Sequence, residues 1–179
     1  MIRHFRVVDR AIREAGVERN LPLVLAGVEE LLPLFRQVSE QEEILEEAIE
    51  GNPDHMKPEE VHRRGWAIVE PLFRRRQDES LARFRELEGT GRASRDFREV
   101  LLAAFHKRVE RLSVAMRAER WGRVDPQEGT VEFGDEETPG HRELVEAAAM
   151  ETILNGGIVE PVEPERMPEG AILAAIFRF

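Results

Sequence analysis

Arg74, Arg75 and Arg76 form the sharpest basic run in the chain, with Arg63 and Arg64 before it and Arg83 and Arg85 one or two turns after it. Guanidinium groups at this density could grip RNA phosphates or the carboxylates of an acidic partner. Successive arginines on a helix splay around its axis, however. The run therefore reads first as a solvated face with Glu70, Asp78 and Glu79 as local partners, and second as a contact for RNA or a partner protein.

The other residue types that could do chemistry are not arranged to do it. His4, His55, His62, His106 and His141 show no metal-ligand spacing, and no Asp/Glu cluster completes a site with them. The sequence Gly-Thr-Gly-Arg at 89–92 follows a helical pattern and lacks the Gly-Lys-Ser/Thr ending of a phosphate loop, so it reads as a C-terminal helix turn. Carboxylates are abundant, but abundance does not place two of them at catalytic separation. The reading is of no catalytic residue, no metal and no cofactor.

Bulk properties narrow the classes further. The 179 residues suit one ordinary domain, or one domain with a fragment of another. With 26 basic and 36 acidic residues the net charge is -10, which repels a phosphate backbone overall and disfavours broad RNA binding. No cysteine is present, so disulfides and thiolate metal sites are excluded. The first residues mix Arg3, Arg6, Asp9, Arg10 and Arg13 among apolar positions. No apolar run of about 18 residues follows, so neither export nor a membrane span is indicated and a cytoplasmic protein is expected.

Stepping along the chain, Phe5, Val8 and Ile12 recur at helical spacing, predicting a helix over 2–15 with Gly16 as its cap. Leu21 to Ala26, bounded by Asn20 and Gly27, predicts a strand covered on both faces. A short helix over 28–38 follows. Six glutamates between residues 40 and 50 then predict a solvated connector, with a metal site as the minor alternative, and Gly51, Asn52 and Pro53 a turn. Residues 58–88 are helical in pattern with Pro71 inside, which predicts a kink or two abutting helices. Ser94 is the expected cap of a helix carrying Phe97, Val100, Leu101 and Ala104, ending near His106 and turning almost directly into a strand over 109–116. Beyond it, "TVEF" is the expected short strand of a turn-rich segment in which Trp121 and Phe133 read as packing residues. A helix over 142–154 is stopped by Asn155, Gly156 and Gly157, and the strands "IVEPV" and "ILAAIFRF" close the chain. Helix and strand alternate, so the class is α/β.

The order of these segments resembles a known family. "LPLVLAGVEELLPLFRQVS" is similar to the close of the middle domain of archaeo-eukaryotic peptide-chain release factors and their Pelota relatives. "SRDFREVLLAAFHKRVERLSVAM" and "LVEAAAMETILNGGIVEPVEPERMPEGAILAAIFRF" resemble successive parts of their C-terminal domain, and the Gly-Asn-Pro turn with "AAFHKRVERL" looks most like the bacterial branch. The resemblance implies a three-layer α/β/α sandwich with a mixed sheet, as in kink-turn-binding ribosomal proteins, preceded by a helix-strand remnant. Residues 1–38 would be the tail of a preceding ribonuclease-H-like domain or a linker, and residues 39–179 the release-factor C-terminal-like domain. The chain, beginning inside a helix, reads as part of a longer protein.

Two departures from the pattern are Lys107, where glycine is usual at the helix-to-strand turn, and Ser113, where a larger apolar residue is usual. Lysine in a left-handed conformation would cost about 1 kcal/mol relative to glycine. Release factors of this kind use a Gly-Gly-Gln loop, which is absent from these residues, so peptidyl-tRNA hydrolysis is not assigned.

What the resemblance implies is therefore a non-catalytic protein-interaction domain acting in translation termination or ribosome rescue. Its implied partner is a ribosome-associated protein or translational GTPase. The alternative is a kink-turn-type RNA-binding module using Arg74 to Arg76. If the strand Leu21 to Ala26 lacks its usual neighbours, its edges should take a substitute strand from this chain or from a second copy by self-association.

Overall fold

The computed structural model describes residues 2–14, 21–41, 43–136 and 138–179. It divides into two compact units, Met1–Arg75 and Arg76–Phe179. The Gly16 cap and the bounding Asn20 lie outside the described residues.

In the first unit, α1 (Ile2–Glu14) turns Phe5, Val8 and Ile12 inward, and the Phe5 ring meets the Phe35 ring edge-on at 5.8 Å. Asp9 lies on the same side, 2% exposed. A buried carboxylate must be paired. Asp9 accepts hydrogen bonds from the Ser39 hydroxyl (2.5 Å) and the Glu40 amide (3.2 Å) and forms an ion pair with Arg13 at 3.1 Å. These bonds fasten α1 to the end of α2 (Leu32–Val38).

α2 connects β1 (Leu23–Gly27) to β2 (Ile44–Glu50), and the two strands pair in parallel. The connector expected over residues 40–50 is thus largely a strand. Its alternation is hidden because Leu23 pairs with Ile44 but Leu25 with Ala48, so Val24 alone opposes Leu45, Glu46 and Glu47. At this bulge Arg36 donates to the Leu45 and Glu46 carbonyls at 3.1 and 2.7 Å, while Ile49 is buried and Glu46, Glu47 and Glu50 face solvent. β1 is half-buried with β2 as its sole neighbour among the described residues, not an inner strand covered on both faces. The β1–β2 pair spans residue 38, whereas the division between units lies at 75/76.

Asn52 caps a single 3-10 turn (Pro53–His55) by accepting from the Asp54 amide at 3.0 Å. α3 (Pro58–Leu87) then runs for 30 residues as one helix with Pro71 inside, contributing residues to both units. It ends in the Gly-Thr-Gly-Arg turn, where Gly89 and Gly91 take φ of 78° and 81°. That is the left-handed turn expected of a helix end.

The second unit is built on a four-stranded mixed sheet of order β3-β9-β4-β8, comprising β3 (Ala93–Ser94), β4 (Val109–Ala115), β8 (Ile158–Val162) and β9 (Leu173–Phe177). β4 and β8 are parallel, and β9 is antiparallel to both β3 and β4. β9 explains the layering. Leu173, Ala175 and Phe177 join one core with α4 (Phe97–Phe105) and α5 (Leu144–Leu154), whereas Ala174 and Ile176 join another with Leu81 and Phe84 of α3. With period-two side chains, a strand buried on both faces requires helices on both. The result is the α/β/α sandwich. Arg111 and Ser113 of β4 face the α3 side, where Arg111 donates to Ser80 and Glu160, both at 3.0 Å. Ser113 is buried, 6% exposed.

The cap of α4 is Asp96, which accepts from the Glu99 amide at 2.9 Å, and not Ser94. Ser94 is held in β3, paired with Ala175. α4 closes with Lys107 at φ 61°, the Lys107 and Arg108 amides donating to the Ala104 and Ala103 carbonyls at 3.0 and 2.9 Å. α5 closes by the same pair of bonds with Gly156 at φ 72°. One motif is thus made once with lysine and once with glycine.

A second, three-stranded sheet of order β6-β5-β7 comprises β5 (Trp121–Asp125), β6 (Thr130–Phe133) and β7 (Arg142–Glu143). "TVEF" is therefore half of a hairpin whose other strand, β5, was not expected. Glu143 caps α5 through the Val145 and Glu146 amides, so that helix starts at Leu144 rather than at 142.

Candidate interaction surface

Arg74, Arg75 and Arg76 all lie exposed on α3, as their spacing predicted, but they do not converge. At about 100° per residue their side chains point in three directions. Arg74 pairs with Glu70 at 3.1 Å. Asp78, a second expected partner, instead receives Arg166 at 2.6 Å. Arg76 borders a small polar cleft with Glu79, Ser80, Arg83 and Arg111. Arg83 there is already bound to Glu110 in two-point fashion, at 2.7 and 3.2 Å.

A larger cleft of about 490 Å³ lies between α3 and the β8–β9 connection. Two of its arginines are paired: Arg95 binds Glu88 and Glu169, and Arg166 binds Asp78 and Glu163. Salt-bridged side chains of this kind hold a connection in place. They present no nucleophile beside a base. His106 contacts the Pro126 carbonyl at 3.0 Å and His141 the Asp135 carbonyl at 3.1 Å, which ties both rings to local turns. Phe133, though exposed, already has neighbours, with the Phe97 ring at 5.6 Å and the Arg98 and Arg120 guanidiniums at 4.7 and 5.1 Å from its centre. Among the described residues no three His, Asp or Glu side chains group to hold a metal ion, and no helix is long and apolar enough to cross a membrane.

The surface with most to gain from a partner is the outer side of α5. Its sequence, LVEAAAMETIL, carries apolar residues on its outer side as well as its inner one, with Glu146 exposed among the outer ones. Leu144, Val145 and Ala148 are buried against the sheet, which leaves Met150, Ile153 and Leu154 49%, 56% and 71% exposed. Packing one side of a helix on a sheet does not call for large apolar residues on the other. Ile158, at the start of β8, and Phe179 are also exposed, 48% and 75%. Arg178 donates to the Asn155 carbonyl at 2.6 Å, which brings the C-terminus to the turn that follows α5. Exposed apolar side chains gathered at one end of a helix mark an interaction site more often than scattered ones do.

β8 is an edge strand, yet it is not open to strand addition. Pro161 interrupts its row of amides, and Gln77 covers the Pro161 carbonyl at 2.7 Å. Docking here would use side chains. The alanines of α5 pointed in the sequence to close packing on a sheet; the Met150, Ile153 and Leu154 side was the overlooked signal, since these residues lie outside the stripe of Leu144, Val145 and Ala148.

Residues 1–108 match the family model of bacterial archaeo-eukaryotic release factor family 3. Among solved structures, the chain is similar to a chain in the "Model of ribosome-bound archaeal Pelota and ABCE1", with TM-score 0.63 and 15% identity over 99% of this chain and 49% of that one. It is also similar to Pelota from Archaeoglobus fulgidus, with TM-score 0.45 and 19% identity over 97% of this chain and 53% of that one. The chain spans about half the length of both, 49% and 53%. No curated protein sequence matches it.

Proposed function

Because the chain belongs to bacterial archaeo-eukaryotic release factor family 3, we propose that it is a non-catalytic, protein-binding part of a release-factor-like protein that works in translation termination or ribosome rescue. The partner in this proposal is a ribosome-associated protein or a translational GTPase, met by the Arg76–Phe179 unit. The observation that carries it is the uncovered apolar side of α5, Met150, Ile153 and Leu154. Desolvating such side chains favours association with another protein over contact with phosphates. The absence of Gly-Gly-Gln from these residues supports a binding role rather than peptidyl-tRNA hydrolysis.

In the same proposal residues 1–38 derive from the tail of a ribonuclease-H-like domain and residues 39–179 from the release-factor C-terminal-like domain, with β2 reaching back to pair with β1. The other edge of β1 is unpaired among the described residues, so self-association through Leu21 to Ala26 is retained. Sedimentation equilibrium tests it, and a monomer at high concentration removes it. Kink-turn binding through Arg74 to Arg76 fares worse, because the three guanidiniums diverge and Arg74 is engaged by Glu70.

The test is cosedimentation with bacterial ribosomes carrying their associated factors, at low and high salt. The wild-type chain is expected to cosediment at both, and the double variant Ile153→Glu, Leu154→Glu to be lost from the high-salt pellet while retaining its melting temperature. Equal cosedimentation of the two, or binding that disappears in high salt, overturns the reading.

A further inference from the structure

We infer that the exposed face of α1 is a docking ridge for the phosphate backbone of double-helical RNA, separate from the α5 surface. Arg3, Arg6, Arg10 and Arg13 follow one another at spacings of three, four and three residues, and all four are exposed. At 100° per residue they fall within an arc of about 80°, and at 1.5 Å rise they form a row about 15 Å long. Unlike Arg74 to Arg76, these arginines converge on one side.

The row cannot turn away from solvent. Phe5, Val8 and Ile12 face inward, and Asp9 is bonded to Ser39 and Glu40, which sets the rotation of the helix. Arg13 is occupied by Asp9 and Glu40. Arg3, Arg6 and Arg10 have no acidic partner among the described residues.

Within the helix only Arg13 is rewarded, by its pair with Asp9. Like charges three and four residues apart repel, and Arg3 and Arg6 stand at the positive end of the helix dipole, where no acidic residue occupies the first turn. Local choices that disagree with local stability point to an external counter-charge. The chain as a whole carries -10, but at physiological salt the Debye length is about 8 Å, so a polyanion touching α1 feels chiefly these arginines.

Phosphates fit the ridge better than an acidic protein does. The charges are evenly placed, Phe5 is turned inward against Phe35, and no exposed Phe, Tyr or Trp of the kind that anchors protein interfaces accompanies them on α1. Contacts of this type position a duplex by its backbone and do not read its sequence.

The test is fluorescence anisotropy of a labelled RNA duplex of about 20 base pairs, mixed with the purified full chain over a salt series. Three phosphate contacts give a log-log salt slope of about -2.7, so going from about 50 to about 200 mM salt should weaken binding about 40-fold. Arg6→Gln should lower the slope by about one unit. Arg3→Glu, Arg6→Glu, Arg10→Glu should abolish binding with an unchanged melting temperature, and the triple lysine variant should retain it. Absence of duplex binding, binding unaffected by the triple charge reversal, or competition by polyglutamate but not by unlabelled duplex overturns the inference, the last in favour of an acidic protein. No ribosomal protein enters this experiment, so its failure leaves the α5 proposal standing, and failure of that proposal leaves this one.

Discussion

α1 and α5 each bury one side and show the other to water, and what they show is opposite in kind. α1 buries an ordinary apolar stripe and presents a row of arginines; α5 buries apolar residues against the sheet and presents more of them. The first outer face satisfies solvent and lacks a counter-charge. The second lacks cover. Helical periodicity alone describes both inner faces, so the functional content of each helix lies outside, in the single sign of the arginine row on α1 and in the uncovered apolar residues of α5.

The contrast between inner and outer faces can be broken by experiment. Leu144→Ala removes a side chain of α5 that is fully buried and should cost about 2–5 kcal/mol in urea unfolding. Asp9→Ala leaves the Ser39 hydroxyl and Glu40 amide without their acceptor and should cost about 1–3 kcal/mol, with faster hydrogen exchange confined to α1 and the end of α2. A cost as large from an outer-face change would blur the distinction.

The two helix ends in the second unit sharpen a related comparison. Lys107→Gly should stabilise by about 1 kcal/mol, because lysine at φ 61° has the strain that Gly156 at φ 72° avoids. No change in the urea midpoint would mean that the lysine has a compensating contact. Smallest of all, Leu154→Glu on the outer face of α5 should shift stability by no more than about 0.5 kcal/mol.

Much of the second unit was legible in the sequence because its elements obey one period each. Phe97, Val100, Leu101 and Ala104 recur as a helix does, β4 alternates as a strand does, and β9 stands as an apolar run. β2 was not legible, because a bulge breaks its alternation and its glutamates resemble a solvated linker. β5 was not legible either. Trp121-Gly-Arg-Val-Asp gains strand character from its pairing with β6, which a local reading does not supply. Ser94 and Asp96 are both good caps, and only the pairing of Ser94 with Ala175 decides between them.

The candidate surfaces divide in the same way. Exposure of Arg74 to Arg76 followed from the run itself, but the loss of Asp78 to Arg166, 88 residues away, is a tertiary fact. The apolar side of α5 could have been found from Met150, Ile153 and Leu154, which fall outside the stripe of Leu144, Val145 and Ala148. That it remains uncovered depends on where the sheet ends.

The most direct test of the central claim is photocrosslinking of the full chain on bacterial ribosomes carrying their associated factors, with a photoreactive residue replacing Leu154 in one sample and Arg75 in another. A crosslink to protein from position 154, and none from position 75, is the predicted result. Crosslinks from position 75 to RNA, with position 154 silent, would contradict it and return the function to the arginine run.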